Sequence, residues 1–162
     1  MHLISELAIV SDKADIEDSV KGSKLVVGAY TVIDSFVKIK FTGGLGDVII
    51  GEHCQINSGI VMYSGNGITL GDNVLVAANT TFAPTNHAYE RRDIPIRAQR
   101  FKASKGGILI EDDVWIGSGC VLLDGAVLRK GTIVAANSVV RGETEAYGIY
   151  AGSPAQLIRP RP

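Results

Sequence analysis

The sequence predicts an all-β coil of short stacked strands, and three observations carry that reading. Thirteen apolar residues mark a six-residue beat: Ile50, Ile56, Met62, Leu70, Val76, Phe82, Ile110, Ile116, Leu122, Leu128, Val134, Val140 and Ala146, with a two-residue slip after Met62 and a long excursion after Phe82. Helical faces recur every 3.6 residues and strand faces every 2, so a period of six marks a repeat architecture. Four residues after most marks stands a second inward candidate, small or β-branched: Cys54, Val74, Thr80, Val114, Cys120, Ala126, Thr132 and Ser138. Gly, Ala, Asp or Glu directly follows many marks, as in Ile50-Gly51-Glu52-His53-Cys54 and Leu70-Gly71-Asp72-Asn73-Val74. Such segments are tight turns, with Gly, Asn or Asp at the positive-φ positions.

Taken in order, residues 1–15 carry no beat and are expected as an irregular N-terminal segment. Residues 16–49 are expected as irregular coils, because Ile16, Val27, Ile33 and Ile39 fit earlier beats at uneven spacing and Thr42-Gly43-Gly44-Leu45-Gly46 breaks them. Residues 50–146 are expected as regular coils, three six-residue units closing each triangular turn, interrupted by a loop at about 84–107. Residues 147–162 are expected to cap the last coil. A chain of 162 residues, 46% hydrophobic, suits one β-helix domain. It has no apolar run long enough to span a membrane, and its first residues lack the basic and apolar regions of a signal peptide. The expectation is a soluble, cytoplasmic protein. Cys54 and Cys120 sit at the small inward position and are expected in the core rather than in a disulfide or a catalytic role.

The units IGEHCQ, LGDNVL and IGSGCV resemble the hexapeptide pattern of left-handed parallel β-helix acyltransferases. ILIEDDVWIGSGCVLLDGAVL and YAGSPAQLIRP are similar to the C-terminal half of the branch that acetylates sugars, xenobiotics and serine. The likeness covers residues 50–159 well and 16–49 loosely. It, and not the spacing, implies the left hand, since left-handed crossovers are rare. It further implies direct transfer of acetyl from acetyl-CoA to a sugar hydroxyl, without an acyl-enzyme, on a surface polysaccharide or its precursor. An N-acetyltransferase acting on an amino sugar and a non-catalytic β-helix scaffold stand as alternatives. A coil stack offers little concavity, and the family forms its sites between the subunits of a homotrimer, which is the assembly expected here.

A long loop in a compact repeat usually has a task. This one opens with Pro84-Thr85-Asn86-His87-Ala88-Tyr89, and by resemblance His87 is the general base that takes the acceptor's hydroxyl proton. Asn57, thirty residues earlier, stands at the spacing of a substrate-contacting Asn in galactoside and maltose acetyltransferases and is the candidate oxyanion stabiliser. A turn-ladder Asn is the plainer alternative, and is preferred for Asn79. Trp115 points away from the column by strand alternation. The resemblance places Trp115 on the pantetheine channel of coenzyme A, flanked by Ser118 and Ala136. The turn at Ala135-Ala136-Asn137-Ser138 carries Asn where relatives carry Gly. After Gly152-Ser153-Pro154-Ala155, Arg159 is the candidate for the 3′-phosphate of coenzyme A, with Arg141 a weaker one.

The formal net charge is −1, but its distribution is uneven. No Lys or Arg occurs from Phe41 to Glu90, whereas Arg91, Arg92, Arg97, Arg100, Lys102 and Lys105 crowd the loop against only Glu90 and Asp93. Two readings stand: a solvated loop, or a funnel for an anionic ligand such as the phosphates of coenzyme A or an acidic sugar. No nucleic-acid partner is expected, as the cluster lacks interleaved aromatics apart from Phe101. No metal is expected either: a three-histidine zinc site would need His2, His53 and His87 together, and His2 is terminal.

Overall fold

A strand of two or three residues cannot bury a face alone, so its inward side chains must meet those of the coils on either side. The computed structural model describes residues 1–162 and shows this on three faces. The first face is built from Leu3–Ile4, Leu25–Val27, Val48–Ile50, Ile68–Leu70, Ile108–Ile110 and Val127–Leu128. The second holds Ile9–Val10, Val32–Ile33, Gln55–Ile56, Leu75–Val76, Trp115–Ile116, Ile133–Val134, Gly148–Gly152 and Ala155–Pro160. The third holds Asp15–Ile16, Lys38–Lys40, Val61–Tyr63, Thr81–Ala83, Val121–Leu123 and Val139–Val140. All neighbours are parallel except the last pair on the second face, an antiparallel hairpin that closes the C-terminal end.

Strand register turns the beat into three buried columns. Ile50, Leu70, Ile110 and Leu128 stack on the first face, Ile56, Val76, Ile116 and Val134 on the second, and Met62, Phe82, Leu122 and Val140 on the third. All twelve are buried. The small positions fill the edges between them, where Cys54 and Cys120 are buried free thiols whose pKa burial pushes up. Asn137 holds φ 59°, the left-handed turn conformation that Asn tolerates.

Two expectations are corrected. Residues 1–15 are not an irregular segment, and the beat reaches the N-terminus. Ile4 stacks on Val27, Val10 on Ile33 and Ile16 on Ile39, so residues 3–16 form a first coil and 25–40 a second. At the other end Ala146 is exposed and leaves the column. The last turn is two residues shorter, so buried Thr144 sits beyond Leu128 and Tyr150 beyond Val134. There the Thr144 and Thr132 hydroxyls hydrogen-bond at 2.9 Å.

Every irregularity of the beat falls on one edge. Each step from the first face to the second, and from the second to the third, is six residues, from Ile4 to Val10 to Ile16 through to Leu128, Val134 and Val140. The return from third to first varies: 11 residues from Ile16 to Val27, 11 from Ile39 to Ile50, 8 from Met62 to Leu70, 28 from Phe82 to Ile110, 6 from Leu122 to Leu128 and 4 from Val140 to Thr144. The third–first edge thus carries all the extra chain, as repeat proteins place insertions on one face. No helix is long and apolar enough to cross a membrane.

Candidate active site

The long loop leaves the third face after Ala83 and rejoins the first at Ile108. Its two legs pair: the Ala88 amide donates to the Arg100 carbonyl at 3.0 Å and the Lys102 amide to the Asn86 carbonyl at 2.8 Å. Between them the single helical turn Ile96–Gln99 is tied down by the Gln99 amide, which donates to the Arg91 carbonyl at 2.8 Å and accepts from the Arg91 backbone at 3.0 Å. The loop's base is fixed to the coil by Asp124, a buried carboxylate that accepts the Lys105 amide at 2.9 Å and the Gly107 amide at 3.0 Å. Lys102 pairs with Glu90 at 2.6 Å and lies 3.8 Å over the Tyr89 ring. That contact lowers the Glu90 pKa and raises that of Lys102.

This frame presents His87. Its ring lies 4.8 Å from that of Phe101, and Nδ1 is 3.2 Å from the Arg100 carbonyl oxygen. A carbonyl only accepts, so in the neutral ring Nδ1 carries the hydrogen and Nε2 keeps a free lone pair. His87 borders a cavity of about 580 Å³ on the third–first edge, walled by Tyr89, Lys105, Leu123 and Arg141.

A second cavity, of about 820 Å³, lies on the second face toward the second–third edge. Trp115, Ser118, Ala136 and Arg159 all line it, with Ile133 and Ile149 as further apolar wall. Trp115 is half exposed and directed outward. Four of the five expected cofactor residues therefore come together. Arg141 does not join them, because it follows Val140 at the third–first edge and borders the His87 cavity instead. The sequence reading missed Arg161, which lines the second cavity and pairs with Asp113 at 2.9 Å.

Asn57 lies on the second–third edge. Its backbone amide and its Nδ2 both donate to the Val76 carbonyl, at 3.1 and 2.9 Å, and the next residue after Val76, Ala77, is one wall of the second cavity. Within one chain Asn57 and His87 stand on different edges and share no cavity. Asn79 takes a positive φ at a turn. The other histidines lie elsewhere: His2 accepts the Leu25 amide at 3.1 Å in the first coil, and His53 stacks on Tyr30 at 4.9 Å.

A three-faced coil with all its insertions on one edge, a loop histidine with a free ring nitrogen and an apolar groove around a lone Trp define a hexapeptide-repeat protein with a structured inserted loop. Residues 107–142 match the model for bacterial transferase hexapeptide (six repeats), and residues 47–81 match that for the hexapeptide repeat of succinyl-transferase. The chain belongs to the hexapeptide-repeat acyltransferase family. A protein of Escherichia coli named for O-acetyl transfer in lipopolysaccharide biosynthesis is 26% identical over 121 residues, which are 72% of this chain and 62% of that protein. The chain spans less than two thirds of the first curated relatives it matches. A hexapeptide-repeat acetyltransferase of Vibrio cholerae, solved with acetyl coenzyme A, superposes with a TM-score of 0.63 at 28% identity, covering 98% of this chain and 70% of that one. AntD of Bacillus cereus, an N-acyltransferase solved with dTDP and 3-hydroxybutyryl-CoA, superposes with a TM-score of 0.82 at 22% identity, covering 99% of this chain and 83% of that one. The fold is the left-handed parallel β-helix of this family, with an inserted loop and a C-terminal cap.

Proposed function

We propose that the protein is an O-acetyltransferase moving an acetyl group from acetyl-CoA to a sugar hydroxyl, on a surface polysaccharide or its precursor. The observation that carries this is His87: a loop histidine whose Nδ1 is held by the Arg100 carbonyl and whose Nε2 is free to accept a proton. Nε2 takes the proton of the acceptor hydroxyl as its oxygen attacks the thioester carbonyl. The new C–O bond leaves an oxyanion, which the Asn57 amide stabilises through the N–H not engaged by Val76. Collapse breaks the C–S bond, and the imidazolium returns its proton to the departing thiolate.

The second cavity suits coenzyme A. Trp115, Ile133 and Ile149 give an apolar wall for pantetheine, and Arg159 and Arg161 supply charge for phosphate. His87 and this cavity occupy opposite edges of the third face, so the working site needs a neighbouring copy, and the assembly is a homotrimer. A row free of charge supports such packing: Leu3, Val26, Ile49, Thr69, Leu109 and Val127 align outward along the first face. Leu3, Ile49 and Leu109 are exposed in the single chain.

The test is release of free coenzyme A from acetyl-CoA, with wild type and His87→Ala, against neutral, amino and acidic sugars. The reading expects one acceptor class to drive turnover and the substitution to remove it. Turnover only with amino sugars points to N-acetylation. No binding of acetyl-CoA by the wild type contradicts the enzyme reading.

A further inference from the structure

The third–first edge gathers more positive charge than its local acids can neutralise. Both loop carboxylates are consumed inside the loop, Glu90 by Lys102 and Asp93 by Arg91. Asp124, the one carboxylate lining the His87 cavity, accepts two backbone amides and sets one negative charge against the two cations Lys105 and Arg141. Lys105 and Arg141 line the same cavity and enter none of the ion pairs of the molecule. The position of Lys105 is built rather than accidental: its backbone is tied to Asp124, and its stem lies so close to Gly125 that a Cβ there would come within 2.9 Å. Tyr89, one ring face of which lies under Lys102, also borders the same cavity.

We infer that the cavity beside His87 holds an anionic acceptor, a sugar bearing a carboxylate or phosphate, gripped by Lys105 and Arg141. This rests on the acetyltransferase reading for the identity of the reaction, but the charge preference is a property of the cavity itself. The other source of the same chemistry is the phosphates of coenzyme A. The second cavity already provides the unpaired Arg159 for those, with Arg161 beside it held by Asp113, on the opposite edge of the third face. The two unpaired cations near His87 are therefore assigned to the acceptor. Such a field also speeds arrival of an anion and weakens with added salt.

The experiment is a binding titration of the protein saturated with coenzyme A, using glucuronate, glucose 1-phosphate and glucose as probes. The expected result is binding of the two anions at least tenfold tighter than glucose. Lys105→Gln and Arg141→Gln each weaken the anions by about tenfold, the scale of a charged hydrogen bond. Their affinity for coenzyme A and their thermal midpoints stay at wild-type values, since both side chains are exposed. Three results overturn the inference: equal binding of glucose, no anion binding once coenzyme A is present, or a loss confined to coenzyme A affinity. Loss of coenzyme A binding by the wild type sinks the acetyltransferase reading instead. A repeat without cofactor then still reads the charge preference of the cavity.

Discussion

The two cavities are made from different kinds of structure. The one around Trp115 is carved from the regular coil: Ile133, Val134, Ala135 and Ala136 reach it from strands and turns that keep the six-residue step, and the C-terminal strand adds Arg159 and Arg161. The one around His87 depends on the 28-residue excursion between Phe82 and Ile110, which is fixed by hydrogen bonds and ion pairs with no fully buried side chain between Thr85 and Ser104. A rigid repeat can hold a large invariant ligand, while the variable edge can be rebuilt for each acceptor without disturbing the columns.

The sharpest way to break this comparison is at His87, the proposed base. His87→Ala is expected to lower turnover by about 10² to 10⁴, the usual contribution of a general base, with thermal stability unchanged because the side chain is exposed. A smaller loss in steady-state assays sinks the role given to His87. Next comes the tether. Asp124→Ala strands the amides of Lys105 and Gly107 and is expected to cost about 1–3 kcal/mol. The damage is expected to be local: limited proteolysis cuts within 84–107 faster, while coenzyme A affinity is retained. Equal loss at both cavities shows instead that they are not independent.

Trp115→Ala is expected to raise the KM for acetyl-CoA by about tenfold, as loss of an aromatic anchor does, with little change in kcat or in the KM of the acceptor. A fall in kcat alone places the residue in the chemistry rather than in the groove. The smallest effect belongs to the half-buried pair of Arg129 with Glu111, at 2.7 Å. Arg129, with the Lys130 amide, holds the Glu111 carboxyl below its ordinary pKa. A lowered carboxylate pKa stabilises the fold above the ordinary range and loses that contribution as pH falls through the lowered value. The melting difference between wild type and Arg129→Met is therefore expected at neutral pH and to close as pH falls through the lowered Glu111 pKa.

The sequence reads well where the return step is short. From Ile110 to Val140 all three edges keep six residues, so six marks run unbroken and the columns follow. Ile4, Val10 and Ile16 keep the same step, yet an 11-residue return cuts the run at three marks, too few to stand out from chance. Ala146 was misplaced for the opposite reason, since a shortened return put Thr144 in its column. The grouping of Trp115, Ser118, Ala136 and Arg159 was legible from the family pattern. Arg141 was assigned to the cofactor from its charge, although the residue after a third-face mark belongs to the third–first edge, as Ala83 leads into the His87 loop. That Asn57 and His87 occupy different edges could be read the same way, by counting faces rather than residues. The tether at Asp124 had no sequence signal, because an Asp at a turn looks solvated until its backbone partners are known.

The most direct test of the account is a crystal structure of the protein grown with coenzyme A. The account predicts a three-fold assembly with pantetheine against Trp115 of one copy and the thiol within about 5 Å of His87 Nε2 of a neighbour, close enough for a single hydroxyl to bridge them. Coenzyme A bound away from Trp115, or a His87 that faces only solvent in the assembled protein, contradicts it.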